Sequence, residues 1–357
     1  MALCFYVVEK FALMKTKKIL VTGGAGYIGA HTVVELYANG YIPVIIDNFS
    51  KSDRTLLEGI EKITGKSLVF YEGDCTDKQF LNTLFKKETD IVGVMHFAAY
   101  KSVGESVEHP AMYYRNNLDS LLTLLEVMNG QQVNNLIFSS SCTVYGEPDS
   151  IPVDEQAPFK KAESPYGATK QMCEQILEDA VKADQSLKVI SLRYFNPIGA
   201  HPSAMLGELP IDKPNNLVPY ITQTAAGIRE KLVIFGGDYD TPDGTCIRDF
   251  IHIADLATAH VKAIDTLLGA DKNNGYQYYN LGTGQGVSVL QLVKEFMEVT
   301  GVKLNYEIGP RRAGDVVKTY ANSTKAQSEL GWSAQHTTKD ALRDAWAWEK
   351  RFRNLTT

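Results

Sequence analysis

The chain has few cysteines, and none of them lies at metal-binding or redox spacing. The five cysteines are odd in number, are spread widely along 357 residues and never form a C-x-x-C pair. This pattern excludes a disulfide framework and a zinc site built from paired thiolates. Reduced thiols are the norm in the cytoplasm, so we expect a cytoplasmic protein.

The sequence also lacks a long apolar run. No stretch approaches the roughly 20 apolar residues that a membrane span requires. Residues 1–14 are interrupted by Glu9 and Lys10 and have no basic residue ahead of these, so they match neither a signal peptide nor an anchor. We therefore expect no membrane partner. We also expect Met14 to be the native start, because residues 15–18 lead directly into the first strand.

Positive charge is not in excess, and histidines are not clustered. The net charge of −6 gives no electrostatic basis for binding nucleic acid, so we expect no nucleic-acid partner, and any bound phosphate must meet a few local basic residues. The seven histidines show no metal-ligand spacing, and we expect no metal. With 44% apolar and 22% charged residues, the composition is that of a globular protein, long enough for two domains or for one domain with a large lobe.

The stretch that carries most information is residues 18–38. A short apolar strand is followed by a turn that contains glycines. The turn leads into a helix whose apolar residues recur at helical spacing, and the glycines are Gly23, Gly26 and Gly29. The glycines allow a tight turn, bare backbone against a pyrophosphate and close helix packing. Their spacing is not the strict G-x-G-x-x-G pattern but resembles the variant of extended short-chain dehydrogenase/reductase proteins. Glycine clusters also form ordinary turns, so the motif alone does not establish cofactor binding.

Strands and helices alternate after this stretch. The alternation predicts an α/β protein with a Rossmann-type doubly wound parallel sheet, covered by helices on both faces. Because ligands collect at the carboxyl ends of such strands, we expect the functional residues at one edge of the sheet. The predicted elements are, in order, strand 41–46, helix 54–63, strand 68–71, helix 78–85, strand 91–96, helix 111–128, strand 136–139, helix 166–183 and strand 187–194.

An acidic residue ends the second predicted strand. Asp47 follows the glycines by roughly 20 residues, which suits a hydrogen bond to a ribose 2′-hydroxyl. Its charge would repel a 2′-phosphate, so NAD is favoured over NADP. An ordinary acidic turn residue after a strand would look the same.

The amino-acid composition and the strand–helix alternation change at Asn196. Residues 196–216 are rich in Pro, Gly and Asn, and the alternation weakens after them. We therefore expect an N-terminal extension at 1–16, an NAD-binding Rossmann domain at 17–196 and a smaller substrate-binding α/β lobe at 197–357. We expect some segments around 248–281 to rejoin the main sheet.

Tyr166 and Lys170 place a phenol and an ammonium on one helical face. A phenol with a pKa of about 10 is a poor base at neutral pH, and a neighbouring cation favours the phenolate. Tyr166 is therefore a candidate general base, with Ser141 at the end of the fifth strand able to bond and relay the proton of a substrate hydroxyl. A tyrosine and a lysine four residues apart more often form only a surface pair, but the preceding nucleotide-binding start and serine-rich strand end favour catalysis.

Taken together, a series of motifs resembles the UDP-glucose 4-epimerases of the extended short-chain dehydrogenase/reductase family. The resemblance implies an NAD-dependent isomerase that interconverts UDP-glucose and UDP-galactose through a transient 4-keto sugar, and that retains its NAD through turnover. In that chemistry Tyr166 removes the proton from the sugar 4-hydroxyl, directly or through Ser141. The motifs run in order between about 17 and 348 and comprise residues 22–29, 96–99, 139–141, 164–170, 193–197, 248–252 and 310–315.

The resemblance also assigns binding residues. Two arginines in the substrate set would meet a diphosphate with charge-assisted bonds, which an acidic protein must supply locally. The expected NAD-binding residues are Gly23, Gly26, Tyr27, Ile28, Gly29, Asp47, Asn48, Asp74, Cys75, Phe97, Ala98, Lys101, Asn116, Ser139, Tyr166, Lys170 and Tyr194. The expected UDP-sugar-binding residues are Ser141, Asn196, Asn216, Leu217, Phe235, Arg248, Arg312, Asp315 and Thr319.

Three alternatives stay open to different degrees. Nucleotide-sugar 4,6-dehydratases carry an Asp-Glu pair where this chain has Cys142 and Thr143, so the acid and base for eliminating water are missing. A UDP-glucuronate 4-epimerase or a related decarboxylase is harder to exclude, because the pocket around the sugar C6 is not readable from one sequence. A catalytically silent NAD-binding regulator would have no need of Ser141, Tyr166 and Lys170 together.

Two further expectations follow from the resemblance. Phe250 stands where one bacterial form of the family has a tyrosine. Thr319 stands where some members have a bulky tyrosine and others a small residue. In the family, a small residue at that position goes with acceptance of N-acetylated sugars. We hypothesise that UDP-GlcNAc and UDP-GalNAc are also substrates. Members are commonly homodimers, and we expect a homodimer through the helices at 111–128 and 164–183.

Overall fold

The structure is a computed structural model. The expected N-terminal extension at 1–16, with the expected start at Met14, lies outside the described residues. The described residues are 17–211, 213–269, 275–312 and 315–355.

Within those ranges, strands and helices alternate through the first half of the chain and are less regular after it. The strands are β1 (Lys18–Thr22), β2 (Ile42–Asp47), β3 (Val69–Glu72), β4 (Ile91–His96), β5 (Asn135–Ser139), β6 (Lys188–Tyr194), β7 (Asn196–Ile198), β8 (Leu232–Phe235), β9 (Ile247–Arg248), β10 (Phe250–His252), β11 (Tyr276–Leu281), β12 (Val287–Ser288), β13 (Tyr306–Gly309) and β14 (Lys318–Thr319). The helices are α1 (Tyr27–Ala38), α2 (Thr55–Thr64), α3 (Lys78–Lys87), α4 (Val103–Glu108), α5 (Pro110–Gly130), α6 (Pro165–Ala183), α7 (Leu217–Ala225), α8 (Ile253–Leu268), α9 (Val289–Thr300), α10 (Thr324–Leu330) and α11 (Thr338–Phe352), with a 3₁₀ turn at Cys142–Tyr145.

The main sheet has seven strands in the order β11-β6-β5-β4-β1-β2-β3. Every neighbouring pair in it is parallel. The strand order reverses between β1 and β4, which is the point where a doubly wound sheet opens a crevice at its carboxyl edge. The predicted Rossmann-type fold is confirmed.

Both faces of the main sheet are buried. Along β1, Ile19 and Val21 belong to one apolar cluster and Leu20 to another, as the two-residue period of a strand requires. Helices α1 and α8 pack against one face, and α5 and α6 pack against the other. This double burial explains why the strands read as continuous apolar runs.

The remaining strands form small sheets around a third apolar core. Strand β7 pairs with β10, β9 lies between β12 and β14, and β8 pairs with β13. Leu292, Phe296 and Leu342 are fully buried in this core. Strand β11, although late in the chain, lies beside β6 in the main sheet, so residues beyond 197 contribute to that sheet.

The expected helices are present with small shifts at their ends. Helix α6 begins at Pro165, and the hydroxyl of Ser164 accepts from the backbone N–H of Gly167, as is typical of a Ser-Pro helix start. Helix α4 and the 3₁₀ turn were not predicted, because each is too short to show a period. Over the described ranges, no helix has the length and apolar character needed to cross a membrane.

Candidate active site

A cleft of about 250 Å³ lies at the carboxyl edge of the main sheet. It is bounded by residues that follow or end β1, β2, β3, β4, β5 and β6. Every residue expected to bind NAD lies on its wall: Gly23, Gly26, Tyr27, Ile28, Gly29, Asp47, Asn48, Asp74, Cys75, Phe97, Ala98, Lys101, Asn116, Ser139, Tyr166, Lys170 and Tyr194.

The floor of the cleft is the turn between β1 and α1, and it has room only for glycine. Gly23 has a φ of +69°, and a Cβ on it would lie 2.8 Å from the backbone nitrogen of Ala98. A Cβ on Gly29 would lie 2.3 Å from the carbonyl oxygen of Gly23. The N-cap of α1 is Gly26, which offers no side-chain cap, so first-turn N–H groups face the cleft without one. Bare backbone and a helix N-terminus fit a pyrophosphate.

Asp47 is fixed to this turn. Its Oδ2 accepts from the backbone N–H of Ala25 at 3.0 Å, and its Oδ1 accepts from the N–H of Phe49 at 3.0 Å and the hydroxyl of Ser52 at 2.7 Å. A carboxylate has about four acceptor positions, so one is left for a ribose hydroxyl. The geometry fits the expected role of Asp47.

A second carboxylate, Asp74, also lines the cleft. Burial raises its pKa, but hydrogen bonds from Thr76 and from the Asn48 amide, which lies 2.8 Å from its Oδ2, bring the pKa below its usual value. Asp74 is therefore ionised at neutral pH. Burial raises the pKa of the adjacent Cys75 thiol to about 12, so that side chain stays neutral.

Lys170 lines the cleft and is almost completely buried. Its Nζ donates to the carbonyl oxygen of Ser139 at 2.7 Å and lies 5.9 Å from the ring centroid of Tyr166. Burial lowers the pKa of Lys170 to about 8, against the opposing effects of Cys173 and Glu174. A largely protonated ammonium at neutral pH is thus held close to the tyrosine ring.

Tyr166 differs from the sequence-based expectation in one respect. We expected Lys170 to lower its pKa, but the protein groups raise that pKa well above its ordinary value, through burial first and then through Tyr194. The neighbouring Ser141 hydroxyl acts in the opposite direction and lowers the pKa of Tyr166. Burial outweighs the protein's own favourable contacts, so a phenolate at neutral pH requires a further positive charge at the site.

The residues expected to hold the UDP-sugar fall into two groups. Asn216 lines the cleft, next to Leu217 at the start of α7. Asn196 opens β7, and its buried Oδ1 has no hydrogen-bond partner among the described residues. Ser141 caps the 3₁₀ turn and lies close enough to Tyr166 to lower its pKa.

The other five substrate residues form a cluster that the cleft wall does not include. Asp315 lies 2.7 Å from an Arg312 nitrogen and 3.5 Å from an Arg248 nitrogen. The Arg312 guanidinium lies 5.7 Å from the Phe235 ring centroid, and Thr319 pairs with Arg248 between β14 and β9. Two arginines thus share one carboxylate, which leaves positive charge for a diphosphate.

Arg248 of this cluster lies near the residues that follow the end of strand β5. Burial raises the pKa of Cys142, the residue after Ser141, to about 12, and the charge of Arg248 opposes that rise. The arginine is therefore near enough to act on the 3₁₀ turn that Ser141 caps. The arginine cluster therefore lies near Ser141, one of the expected catalytic residues.

The sequence reasoning missed Glu208. Its Oε1 lies 2.6 Å from the Asn216 amide nitrogen and 3.2 Å from the Lys101 ammonium, and it lines the cleft. It thereby joins a residue of the expected NAD set to one of the expected UDP-sugar set. The available signal was the long Pro-, Gly- and Asn-rich segment at 196–216, since long irregular segments in compact proteins are commonly functional.

No metal site is evident in the described part of the chain. None of its His, Cys, Asp and Glu residues form a group of three or more that could hold an ion.

Comparisons with known proteins agree with this geometry. The sequence profile of the NAD dependent epimerase/dehydratase family matches residues 19–282. A UDP-glucose 4-epimerase of Dictyostelium discoideum is 49% identical over 332 residues, covering 93% of this chain and 95% of the relative. One of Homo sapiens is 47% identical over 341 residues, covering 94% and 97%. The crystal structure of a Bifidobacterium longum UDP-glucose 4-epimerase in complex with NAD+ and UDP superposes with a TM-score of 0.91 at 45% identity, covering 95% of this chain and 99% of that one.

Proposed function

The chain belongs to the NAD dependent epimerase/dehydratase family, and we propose that it is a UDP-glucose 4-epimerase that interconverts UDP-glucose and UDP-galactose with retained NAD. The observation that carries the proposal is the position of Tyr166 and Lys170 on the wall of the cleft that the glycine turn begins, with Ser141 close enough to the tyrosine to lower its pKa. Similarity to curated UDP-glucose 4-epimerases over more than nine-tenths of the chain supports it.

The cleft suits NAD because its floor is bare backbone and because Asp47 retains an acceptor position. The turn would hold the pyrophosphate together with Lys101, and Asp47 would hold a ribose. When bound, the cofactor supplies hydride acceptance and hydride return at C4 of the sugar. The chain supplies position and charge.

Tyr166 serves as the general base. It takes the proton of the sugar 4-hydroxyl, either directly or through the hydroxyl of Ser141, and returns a proton when the 4-keto sugar is reduced on its other face. Burial and the neighbouring Tyr194 raise the pKa of Tyr166, so its deprotonation depends on the neighbouring Lys170 ammonium and on the cofactor's positive charge. C4 is inverted with no net oxidation.

Arg248 and Arg312 anchor the substrate by its diphosphate. Asp315 lies between them and keeps both guanidinium groups oriented. Anchoring by the nucleotide leaves the 4-keto sugar free to turn over between the two hydride transfers. The buried side-chain oxygen Oδ1 of Asn196, which has no hydrogen-bond partner among the described residues, can accept a hydrogen bond from a sugar hydroxyl or from the uridine.

The test is to incubate purified protein, without added NAD, with UDP-galactose and to follow UDP-glucose by NMR. We expect epimerisation, because the retained cofactor is regenerated in each cycle. The control is Tyr166→Phe, which removes the base and should slow the reaction by about 10²- to 10⁴-fold. No turnover by the wild type, with or without added NAD, would refute the proposal, and undiminished Tyr166→Phe activity would refute the role of the tyrosine.

The same assay with UDP-glucuronate separates the remaining enzyme alternative. The 4,6-dehydratase alternative lacks its acid and base, because Cys142 and Thr143 are not carboxylic acids and burial raises the pKa of the Cys142 thiol to about 12. Preferred turnover of UDP-glucuronate over UDP-galactose would replace the proposed substrate.

We further propose that N-acetylated UDP-hexoses are substrates. Thr319 is a small residue paired with Arg248 of the arginine cluster, so it lies beside the expected diphosphate anchor. A small side chain there leaves room for an acetamido group. Conversion of UDP-GalNAc to UDP-GlcNAc tests this, and its absence alongside normal UDP-galactose turnover would refute it.

A homodimer is proposed on the basis of exposed apolar side chains on neighbouring helices. Val107 of α4, Leu122 of α5 and Met172 of α6 are 61%, 43% and 44% exposed, and α4, α5 and α6 pack against one another. A second copy of the chain would bury them. Light scattering should give twice the chain mass, and the double variant Leu122→Glu, Met172→Glu should be a monomer; a monomeric wild type would refute the proposal.

The expected division of labour along the chain also stays a proposal. Residues 17–196, together with β11, would bind NAD, and most of 197–357 would bind the UDP-sugar. We propose a cytoplasmic location, which the four unpaired cysteines in the described part of the chain support. Subcellular fractionation of the tagged protein is the direct check.

A further inference from the structure

Helix α6 is joined to the end of strand β5 by two links that involve the proposed catalytic residues. The ammonium of Lys170 donates to the carbonyl oxygen of Ser139 at 2.7 Å. Ser141 lies close enough to Tyr166 to lower the pKa of the phenol. The residue between the two serines is therefore flanked on both sides by neighbours of the proposed catalytic residues.

That residue, Ser140, makes a third link to the same helix. Its hydroxyl donates to Oε1 of Glu174, which lies one helical turn beyond Lys170 and two beyond Tyr166, on the same face. Ser140 is 0% exposed and Glu174 is 2% exposed. Ser139, which ends β5, and the next two serines thus lie against three residues of α6 that are spaced by four.

The Glu174 carboxylate is itself held in place. Arg193, the first residue of the 193–197 motif, donates to it through Nε at 3.0 Å and Nη2 at 2.6 Å. The Arg193 guanidinium lies 4.0 Å from the ring centroid of Tyr278, and the Tyr276 hydroxyl lies 2.8 Å from Glu174. The carboxylate cannot rotate away from Ser140 without leaving these buried partners, whose loss is costly.

None of these groups has a part in the proton or hydride chemistry. Ser140, Glu174 and Arg193 do not line the cleft and are too deep to meet a substrate. A buried charged pair is a weak contributor to stability compared with apolar packing, so its presence beneath a catalytic strand end calls for another explanation.

We infer that Glu174, held by Arg193, is a positioning residue for the reaction: through Ser140 it fixes the end of β5 against α6 and so sets the approach of Tyr166 to the sugar hydroxyl. This inference rests on the proposed epimerase function. Reacting groups must be held within about 0.5 Å of their productive geometry, and a shift of about 1 Å can cost 10²-fold in rate. A fixed strand end therefore raises kcat and leaves ligand binding unchanged.

The test compares two buried serines around the same carboxylate. Ser140→Ala removes the link to Glu174. Ser191→Ala is the matched control, because Ser191 is also 0% exposed and its hydroxyl accepts from Tyr276 at 3.0 Å, yet among the described residues its side chain has no hydrogen bond to Tyr166, Lys170 or Ser141. Measurements on the NAD-containing enzyme are kcat and KM for UDP-galactose, bound NAD per chain, and the unfolding temperature.

We expect Ser140→Ala to lower kcat by about tenfold, while KM and NAD content stay within about twofold of wild type. Ser191→Ala should keep kcat within about twofold. Equal kcat values for the two variants, or a Ser140→Ala defect confined to KM or unfolding temperature, would overturn the inference and leave the proposed function standing. An inactive wild type would overturn the proposed function and this inference with it.

Glu174→Gln is the second variant, with the ion pair removed and the shape kept. Its kcat should fall at least as far as that of Ser140→Ala, with KM again unchanged. If Glu174→Gln does not fold, the comparison of the two serines still decides the question. A folded Glu174→Gln enzyme with wild-type kcat would contradict the inference.

Discussion

The buried ammonium of Lys170 donates its 2.7 Å hydrogen bond to the backbone carbonyl of Ser139, a neutral acceptor. A carboxylate in that position would have compensated the desolvation of the charge. The nearest one, Glu174, is instead engaged by Arg193. Burial consequently lowers the pKa of Lys170 to about 8, which is close to neutral pH.

This depressed pKa predicts a pH-dependent difference in stability between the wild type and Lys170→Met. Unfolding returns Lys170 to an ordinary pKa of 10.5, so between about 8 and 10.5 the unfolded chain binds more protons than the folded one. The free energy of unfolding of the wild type should therefore rise with pH in that window relative to the variant. A shift of this size corresponds to about 3 kcal/mol.

Urea unfolding at a series of pH values, with both proteins at the same NAD content, measures this difference. The penalty for the buried charge is complete below pH 8 and is relieved as the pH rises. Parallel pH profiles for wild type and Lys170→Met would contradict the depressed pKa. Ser191→Ala, which leaves the lysine and Ser139 unchanged, should parallel the wild type.

The glycine turn gives a second prediction. An added methyl group in Gly29→Ala would lie 2.3 Å from the carbonyl oxygen of Gly23 and 2.8 Å from the Cα of Gly24, and these backbone atoms cannot move aside as the end of a flexible side chain could. We expect the variant to lose most of its bound NAD and about 1–3 kcal/mol of unfolding free energy through overpacking. Bound NAD after purification and urea midpoints are the measurements.

Gly130→Ala is the matched control for that variant. Gly130 ends α5, and a Cβ there has no neighbour within 4 Å among the described atoms. Its replacement by alanine should leave NAD content unchanged and stabilise the protein by at most about 1 kcal/mol. Equal NAD content in the two variants would show that the turn does not approach the cofactor.

The main sheet could be predicted from sequence because its signals are local. Each strand is a short apolar run, and each connection is a helix of ordinary length, so the alternation fixes a parallel sheet with its ligand edge. Asp47 was recognisable for the same reason, since it ends a strand at a fixed distance from Gly29. Residues whose function depends on a local turn or strand end are the ones that a single sequence shows.

The contacts made by Glu208 and Glu174 could not be predicted in the same way. Glu208 meets a lysine 107 positions away in sequence, and Glu174 meets a strand end 34 positions away. No spacing in the sequence distinguishes such acids from surface charges. The raised pKa of Tyr166 was also missed, because burial is a property of the whole fold rather than of the four-residue spacing to Lys170.

Glu208 gives the third prediction. Its side chain is 12% exposed and bonds both the Asn216 amide and the Lys101 ammonium, which is itself 56% exposed and also lies 5.9 Å from the ring centroid of Tyr27. Glu208→Ala should weaken UDP binding about 2- to 10-fold, the value of one lost hydrogen bond. Glu208→Gln keeps an acceptor oxygen and should lie closer to wild type.

Calorimetric titration of UDP into each NAD-containing variant measures this effect. Glu58→Ala is the control, because Glu58 pairs with Lys62 on an exposed face of α2 and does not line the cleft. Tighter UDP binding by both Glu208 variants would mean that the carboxylate repels the diphosphate rather than orienting its partners.

The last prediction concerns the size of the side chain at Thr319. The residue is half-buried in β14, and its backbone is paired with Arg248, so a substitution changes the side chain without freeing the strand. Thr319→Tyr should lower kcat/KM for UDP-GalNAc by at least about tenfold, or about 1.4 kcal/mol, because a bulky ring takes the space of the acetamido group. Its turnover of UDP-galactose should stay within about threefold of wild type. Thr319→Ser, which keeps a small side chain, should keep both activities. Equal losses on the two substrates in Thr319→Tyr would place the residue in general substrate binding, and selectivity for the N-acetyl group would then have to come from elsewhere in the pocket.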